Sequence, residues 1–227
     1  MNFREKFFYI LFGIFLTSLI VGNLIGVTKF VNLGGFFIIP AGLLAYPVTF
    51  LATDLICELY GKAKAQWVVL TGFIMNLFML VLMHIGHILP DASGISGATS
   101  TFESVYGFMV GNVLASMVAY FIAQSVDVRL FHFWKSLTAG KHLWIRNNFS
   151  TMTSQILDTV CILSILYIAG GLGDGIQTVS ALLGLMWSSY LFKFCFAILD
   201  TPFLYIGVYL YQRLEGSEKS GTIPGMA

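Results

Sequence analysis

The sequence predicts an all-α integral membrane protein, a bundle of six transmembrane helices with both termini in the cytoplasm. Three observations carry that prediction. Of the 227 residues, 57% are apolar or aromatic and only 10% are charged, with a mean hydropathy of +0.84; a soluble domain carries about 25% charged residues. The apolar residues gather into six long runs, and about 20 residues of helix cross a hydrocarbon layer about 30 Å thick. The lysines and arginines also concentrate on alternate loops.

The same arithmetic excludes other classes. Twelve Lys and Arg against eleven Asp and Glu leave a net charge of +1, so no bulk field steers a nucleic acid, and none is expected as a partner. A soluble enzyme and a disordered chain are excluded by the apolar content. Cys57, Cys161 and Cys195 are an odd set inside apolar runs without a C-x-x-C pair, which argues against a disulfide framework or a zinc site. No cofactor or metal is expected.

The first run, about Phe7–Val27, follows Arg4 and Lys6 as a signal peptide would. It is long and lacks a small-x-small cleavage site, so it reads as a retained helix. The second run is about Phe37–Tyr60, the third Trp67–Leu89, the fourth Phe102–Val126 and the fifth Phe149–Ala169. The sixth starts near Ile176 and stays apolar to about Tyr211, which at 1.5 Å per residue is about 54 Å. Asp200-Thr201-Pro202 interrupts it, and a proline there predicts a kink. These runs form one six-helix transmembrane domain, residues 1–215, with a flexible cytoplasmic tail over 216–227. Pro90–Thr101 is polar and glycine-rich and reads as an external loop. Val126–Asn148 mixes bases with Phe131, Phe133, Trp134 and Trp144, the composition of an interfacial segment.

Ten of the bases fall on one side: Arg4, Lys6, Lys62, Lys64, the four of the fourth loop including Arg146, and Arg213 and Lys219 of the tail. Lys29 alone falls on the other, and Lys193 lies inside a span. The bias places both termini in the cytoplasm.

Asp54, Glu58, Asp158, Lys193 and Asp200 lie inside or near the ends of apolar runs. An ionisable group at the bilayer centre costs about 2.5–3.5 kcal/mol on insertion scales, so these groups must face a protein interior or an aqueous cavity. Their sequence depths put them in one shared layer between the midplane and the cytoplasmic side. Asp54 and Glu58 are i,i+4 on one helix face; Thr151, Gln155 and Asp158 follow another, and Lys193 and Asp200 are two turns apart on a third. The blander reading is a structural pair such as Asp158–Lys193 locking two helices. Four carboxylates against one lysine fit that reading less well, and the surplus suits protonated carboxylates, a role for Arg146, or a cationic cargo.

Other motifs are weaker. Asn23, Asn76 and Asn112 suit hydrogen bonds between helices. His84 and His87 make only half a metal site. Gly107, Gly111, Ala115 and Ala119 form a small-residue stripe for close helix packing, within the monomer or at a homodimer contact. Gly94-Ile95-Ser96-Gly97 matches an intramembrane protease motif, but no histidine occurs in the last two spans to serve as its base. The chain shows no H-E-x-x-H and no nucleotide loop, so it reads as a non-enzyme.

Tyr46–Gly61 (YPVTFLATDLICELYG) resembles the queuosine precursor transporter family of bacterial membrane proteins, with its T-D-x-x-x-E-x-Y-G core at Thr53, Asp54, Glu58, Tyr60 and Gly61. A second matching block holds Asp127, Arg146, Ser150-Thr151, Ser154-Gln155 and Asp158-Thr159. A third is Tyr190-x-x-Lys193 followed by Leu199-Asp200-Thr201-Pro202. The resemblance implies six helices in the bacterial inner membrane and import of a small purine-like base for tRNA modification: 7-cyano-7-deazaguanine, 7-aminomethyl-7-deazaguanine or queuine. Independently of the resemblance, the polar residues of the spans offer Asp54, Glu58, Gln155, Asp158, Lys193, Asn23 and Tyr190 as substrate-binding candidates. Arg146 and Asp200 are candidates for coupling or gating. A carboxylate suits the N–H edge of such a base, Gln155 its carbonyl and ring nitrogen, and Tyr46, Tyr60 or Tyr190 its flat face. Secondary or facilitated transport is the leading reading. The alternative is the substrate-binding subunit of an energy-coupling vitamin importer that works with a separate ATPase.

Overall fold

A computed structural model describes residues 2–35, 37–91, 98–137 and 143–219. Six helices dominate it: α1 (Phe3–Ile25), α2 (Tyr46–Tyr60), α3 (Lys62–Ile88), α4 (Ala98–Leu137), α5 (Leu143–Ile168) and α6 (Val179–Lys219). Five helical stretches are long and apolar enough to cross a bilayer, and Met152–Ile168 of α5 is a shorter apolar sixth. Large apolar side chains point outward along the whole bundle, Phe121 73% exposed and Trp67 69%. A surface of that kind needs lipid rather than water around it. The chain is an all-α membrane bundle.

The path begins with a capping box. The Asn2 side chain accepts from the Glu5 N–H at 2.9 Å, and the Glu5 carboxylate accepts from the Asn2 N–H, which satisfies two otherwise orphan donors. α1 ends where the Gly26 N–H closes onto the Gly22 carbonyl.

Between α1 and α2 the structure corrects the sequence reading. Phe37–Pro40, expected to open the second helix, is a strand, β2, paired antiparallel with β1 (Phe30–Leu33). Gly34 and Gly35 have φ of 63° and 80°, a backbone that glycine adopts without strain. The Asn32 side chain accepts from the Gly35 N–H at 2.8 Å and tightens the turn. Val31, Ile38 and Ile39 are β-branched and suit a pleated surface. The hairpin is docked into the bundle, with Ile39 wholly buried against Leu43 and Phe192 of α6. A 3-10 turn, Ala41–Ala45, then leads into α2, which has Pro47 in its first turn, where a missing N–H is harmless. The turn lies tight against the end of α1: the Gly42 N–H donates to the Gly26 carbonyl at 3.0 Å. A Cβ on Gly42 would strike the Gly22 carbonyl oxygen.

Gly61, at φ 89°, is at once the end of α2 and the start of α3. At this corner the Arg4 guanidinium donates to the Leu59 carbonyl, and the Tyr60 hydroxyl donates to the Arg4 carbonyl at 2.8 Å. Phe3 and Phe7 pack on Tyr211 of α6 with ring centres 5.7 and 5.2 Å away. The start of α1, the α2–α3 corner and the last turns of α6 therefore share one end of the bundle, the Arg4 end. Thr28, Ser100, Ser104 and Phe108 border a cleft at the opposite end. Near the same junction of α3 and α4, His87 pairs with Glu103 at 2.7 Å and stacks on Tyr106. Among the described residues no cluster of metal-ligating groups forms.

α4 remains helical through Leu137, well into the segment expected to lie along the interface. The small-residue stripe serves the monomer: Ala115 is buried in a core with Leu163, Leu166, Leu182 and Leu185, and Ala119 is wholly buried. Gly107 faces open space. α6 continues through Pro202 to Lys219. The G-x-S-G motif and the chain beyond Lys219 lie outside the described residues.

Candidate functional site

α5 and α6 are joined by residues 169–178 and pack antiparallel, Leu163 and Leu166 meeting Leu182 and Leu185. Each helix presents one stripe at i, i+3, i+4 spacing. Toward the Thr28 end that stripe is leucine. Midway it turns polar, with Gln155, Asp158 and Thr159 on α5 and Ser189 and Lys193 on α6, all buried. The bundle keeps its packing geometry and changes its chemistry.

Lys193 is 4% exposed and Asp158 8%, and they form an ion pair of 2.7 Å through Asp158 Oδ2. The same oxygen accepts from the Tyr46 hydroxyl at 3.0 Å. Lys193 Nζ also donates to Thr159 Oγ1 at 3.0 Å and sits 4.4 Å from the centre of the Tyr46 ring. Two of the three ammonium donors thus have oxygen partners, and the charge has an aromatic face beside it. The Thr159 hydroxyl in turn donates to the Gln155 carbonyl at 2.8 Å. Burying two charges is costly unless geometry and hydrogen bonds compensate, and this network supplies both. It ties α2, α5 and α6 together at one point.

Two atoms beside the network are buried and without a hydrogen-bond partner among the described residues: Gln155 Oε1 and Ser189 Oγ. Buried polar atoms in native structures are normally paired, which makes these two the candidate contacts for a bound molecule.

The other candidates separate from this centre. Tyr46 marks the level of the Asp158–Lys193 pair on α2. Asp54 and Glu58 follow it by 8 and 12 residues, hence about 12 and 18 Å nearer the Arg4 end, and both are exposed. Asp200, half-buried, lies seven residues past Lys193, about 10 Å in the same direction. The single shared layer expected from sequence depth is instead a buried centre with carboxylates spread below it. Asn23 belongs elsewhere: its Nδ2 donates to Asn76 Oδ1 at 3.0 Å, and Asn112 donates to its backbone carbonyl at 3.0 Å, which links α1, α3 and α4. Tyr190 is half-buried in an aromatic row with Trp187 and Phe194. The side chains of Asp127, Arg146, Ser150 and Thr151 lie outside the described residues.

Sequence reasoning gave Tyr46 a stacking role and missed its hydroxyl's bond to Asp158. It also missed Thr159 as an acceptor for Lys193, and Ser189 altogether. The available signal for Ser189 was its position one turn before Lys193 on the same face.

The fold and its buried polar centre define a polytopic helical membrane protein. The comparisons place it further: residues 40–207 match the model of the family described as "Putative vitamin uptake transporter", and the chain belongs to that family. It is 29% identical over 165 residues to a Bacillus subtilis protein named "Probable queuosine precursor transporter", covering 72% of this chain and 69% of that one. It is 26% identical over 181 residues to a Haemophilus influenzae protein of the same name, covering 77% of this chain and 66% of that one. No solved structure matches the chain.

Proposed function

We propose that the protein imports queuosine precursor bases across the bacterial inner membrane by secondary or facilitated transport, and that the Asp158–Lys193 centre is where the base binds. The observation that carries this reading is the buried, closed polar network with unpartnered Gln155 Oε1 and Ser189 Oγ beside it. The names of the two relatives support the substrate class.

A 7-deazaguanine base presents ring and exocyclic N–H donors along one edge. A carboxylate accepts such donors well, and among the described residues Asp158 is the buried carboxylate. Lys193 and the Tyr46 hydroxyl are the donors beside it for the base's carbonyl. While no base is bound, those two groups satisfy Asp158 themselves, so the resting centre stays neutral and shut. Clefts of about 600 Å³ and 340 Å³ lie at opposite ends of the bundle, and none of the residues of the centre lines either of them. Asp54, Glu58 and Asp200, spread between the centre and the Arg4 end, suit passage of the cationic amine carried by 7-aminomethyl-7-deazaguanine and queuine. Asp200 and Arg146 are the candidates for coupling. The Lys and Arg bias assigns the Arg4 end to the cytoplasm.

The test is uptake of labelled 7-cyano-7-deazaguanine, 7-aminomethyl-7-deazaguanine, queuine and guanine by cells that lack their own importer and queuosine synthesis. Saturable uptake of a deazaguanine with guanine excluded is the expected result, and its collapse with a proton uncoupler identifies the coupling. No uptake of any deazaguanine by a correctly inserted protein overturns the reading.

A further inference from the structure

Ser189 has no place in the network around Asp158, yet it is 3% exposed and its hydroxyl has no partner among the described residues. A serine inside a helix ordinarily bonds the carbonyl one turn back, and this hydroxyl does not. Gln155, 5% exposed, is in the same condition at its Oε1. The two are not neighbours. On α6, Ser189 precedes Lys193 by one turn toward the Thr28 end; on antiparallel α5, Gln155 precedes Asp158 by one turn toward the Arg4 end. They bracket the ion pair along the bundle axis, about 10 Å apart in rise.

We infer that Ser189 is a specificity residue that reads the polar arm at C7 of the base, while Gln155 reads the exocyclic amine at the opposite end. This rests on the transport reading above and adds to it an orientation and a discriminating residue. The chemistry of each group fits its end. An amide oxygen accepts only, which matches an amine that donates. A hydroxyl both donates and accepts, so one serine serves a nitrile arm as donor and an ammonium arm as acceptor. A carboxylate at position 189 would repel the nitrile, and an ammonium would repel the aminomethyl group. Asp158 between them takes the ring N–H, and the arm points to the Thr28 end.

The experiment measures binding by purified protein in phospholipid nanodiscs. The probes are 7-aminomethyl-7-deazaguanine, 7-deazaguanine without an arm, and 7-deazahypoxanthine without the amine. The wild-type protein is expected to prefer the armed base over the unarmed one, and 7-deazaguanine over 7-deazahypoxanthine. Ser189→Ala narrows the first ratio about tenfold, the worth of one hydrogen bond, and leaves the second unchanged. Gln155→Met does the reverse. Ser189→Thr, which keeps the hydroxyl, retains the arm preference. Variants that weaken all three probes equally, or none, overturn the inference while the transport reading stands. Failure of the wild-type protein to bind any of the three sinks the transport reading, and this assignment with it.

Discussion

Lys193 and Asp158 are each tolerable in the membrane only because of the other. Asp158→Asn leaves a buried ammonium without its counter-charge, and breaking a buried pair from one side costs about 3–5 kcal/mol. The expected outcome is a large fall in thermal stability in detergent. The double variant Asp158→Asn with Lys193→Met recovers most of that loss, since an uncharged pair has no desolvation penalty, yet it does not recover uptake. Recovery of both would reduce the pair to a helix lock. Tyr46 separates two contributions: Tyr46→Phe removes the bond to Asp158 Oδ2 and keeps the ring under Lys193, whereas Tyr46→Leu removes both. Hydrogen bonds to charged groups contribute about 1.5–3 kcal/mol, so Phe is expected to destabilise measurably and Leu more. The pair itself was legible in the sequence, because isolated charges inside apolar runs need partners. Ser189 was not, since serine in an apolar helix ordinarily satisfies itself on its own backbone. Asp54, Glu58 and Asp200 lie on the Arg4 side of the centre as their sequence depths predict, but not at one level with it, because counting residues from a run's end fixes neither where a helix begins nor what it docks against. Only the Tyr46–Asp158 bond sets the level.

At the scale of elements, the long helices were legible because lipid demands a run length that little else produces. The hairpin was not. Phe36–Leu44 is apolar throughout, and a short apolar run reads equally as strand or helix; Gly34-Gly35 was the deciding signal, and its positive φ values are what the chain uses to reverse. The hairpin's docking depends on the contact of Gly22, Gly26 and Gly42. Gly42→Ala drives a Cβ into backbone that cannot move aside, and overpacking of this kind costs about 1–3 kcal/mol. Gly107→Ala, which meets open space, serves as its control. Thermal unfolding of the two variants is expected to show a loss for Gly42→Ala alone. Equal behaviour would mean that the turn is free to shift away from α1.

Over the whole molecule, charge asymmetry and geometry agree in form. The start of α1, the α2–α3 corner and Tyr211 meet at one end, where Arg4 and Lys64 lie against Tyr60. Lys and Arg prefer the cytoplasmic side, so the proposal places that end inward. Single cysteines at Glu5 and Thr101, in a protein cleared of Cys57, Cys161 and Cys195, test the assignment in intact cells. An impermeant maleimide is expected to label Thr101→Cys and spare Glu5→Cys, and the opposite pattern would overturn the assignment of the Arg4 end to the cytoplasm.

The most direct measurement joins the centre to transport. Uptake of labelled 7-aminomethyl-7-deazaguanine is compared between wild-type protein and the stability-recovered double variant Asp158→Asn with Lys193→Met, at equal amounts in the membrane. Saturable uptake by the wild type and none above background by the double variant is the expected result. Equal uptake by both would mean that the base crosses elsewhere and that the buried pair only holds the helices together.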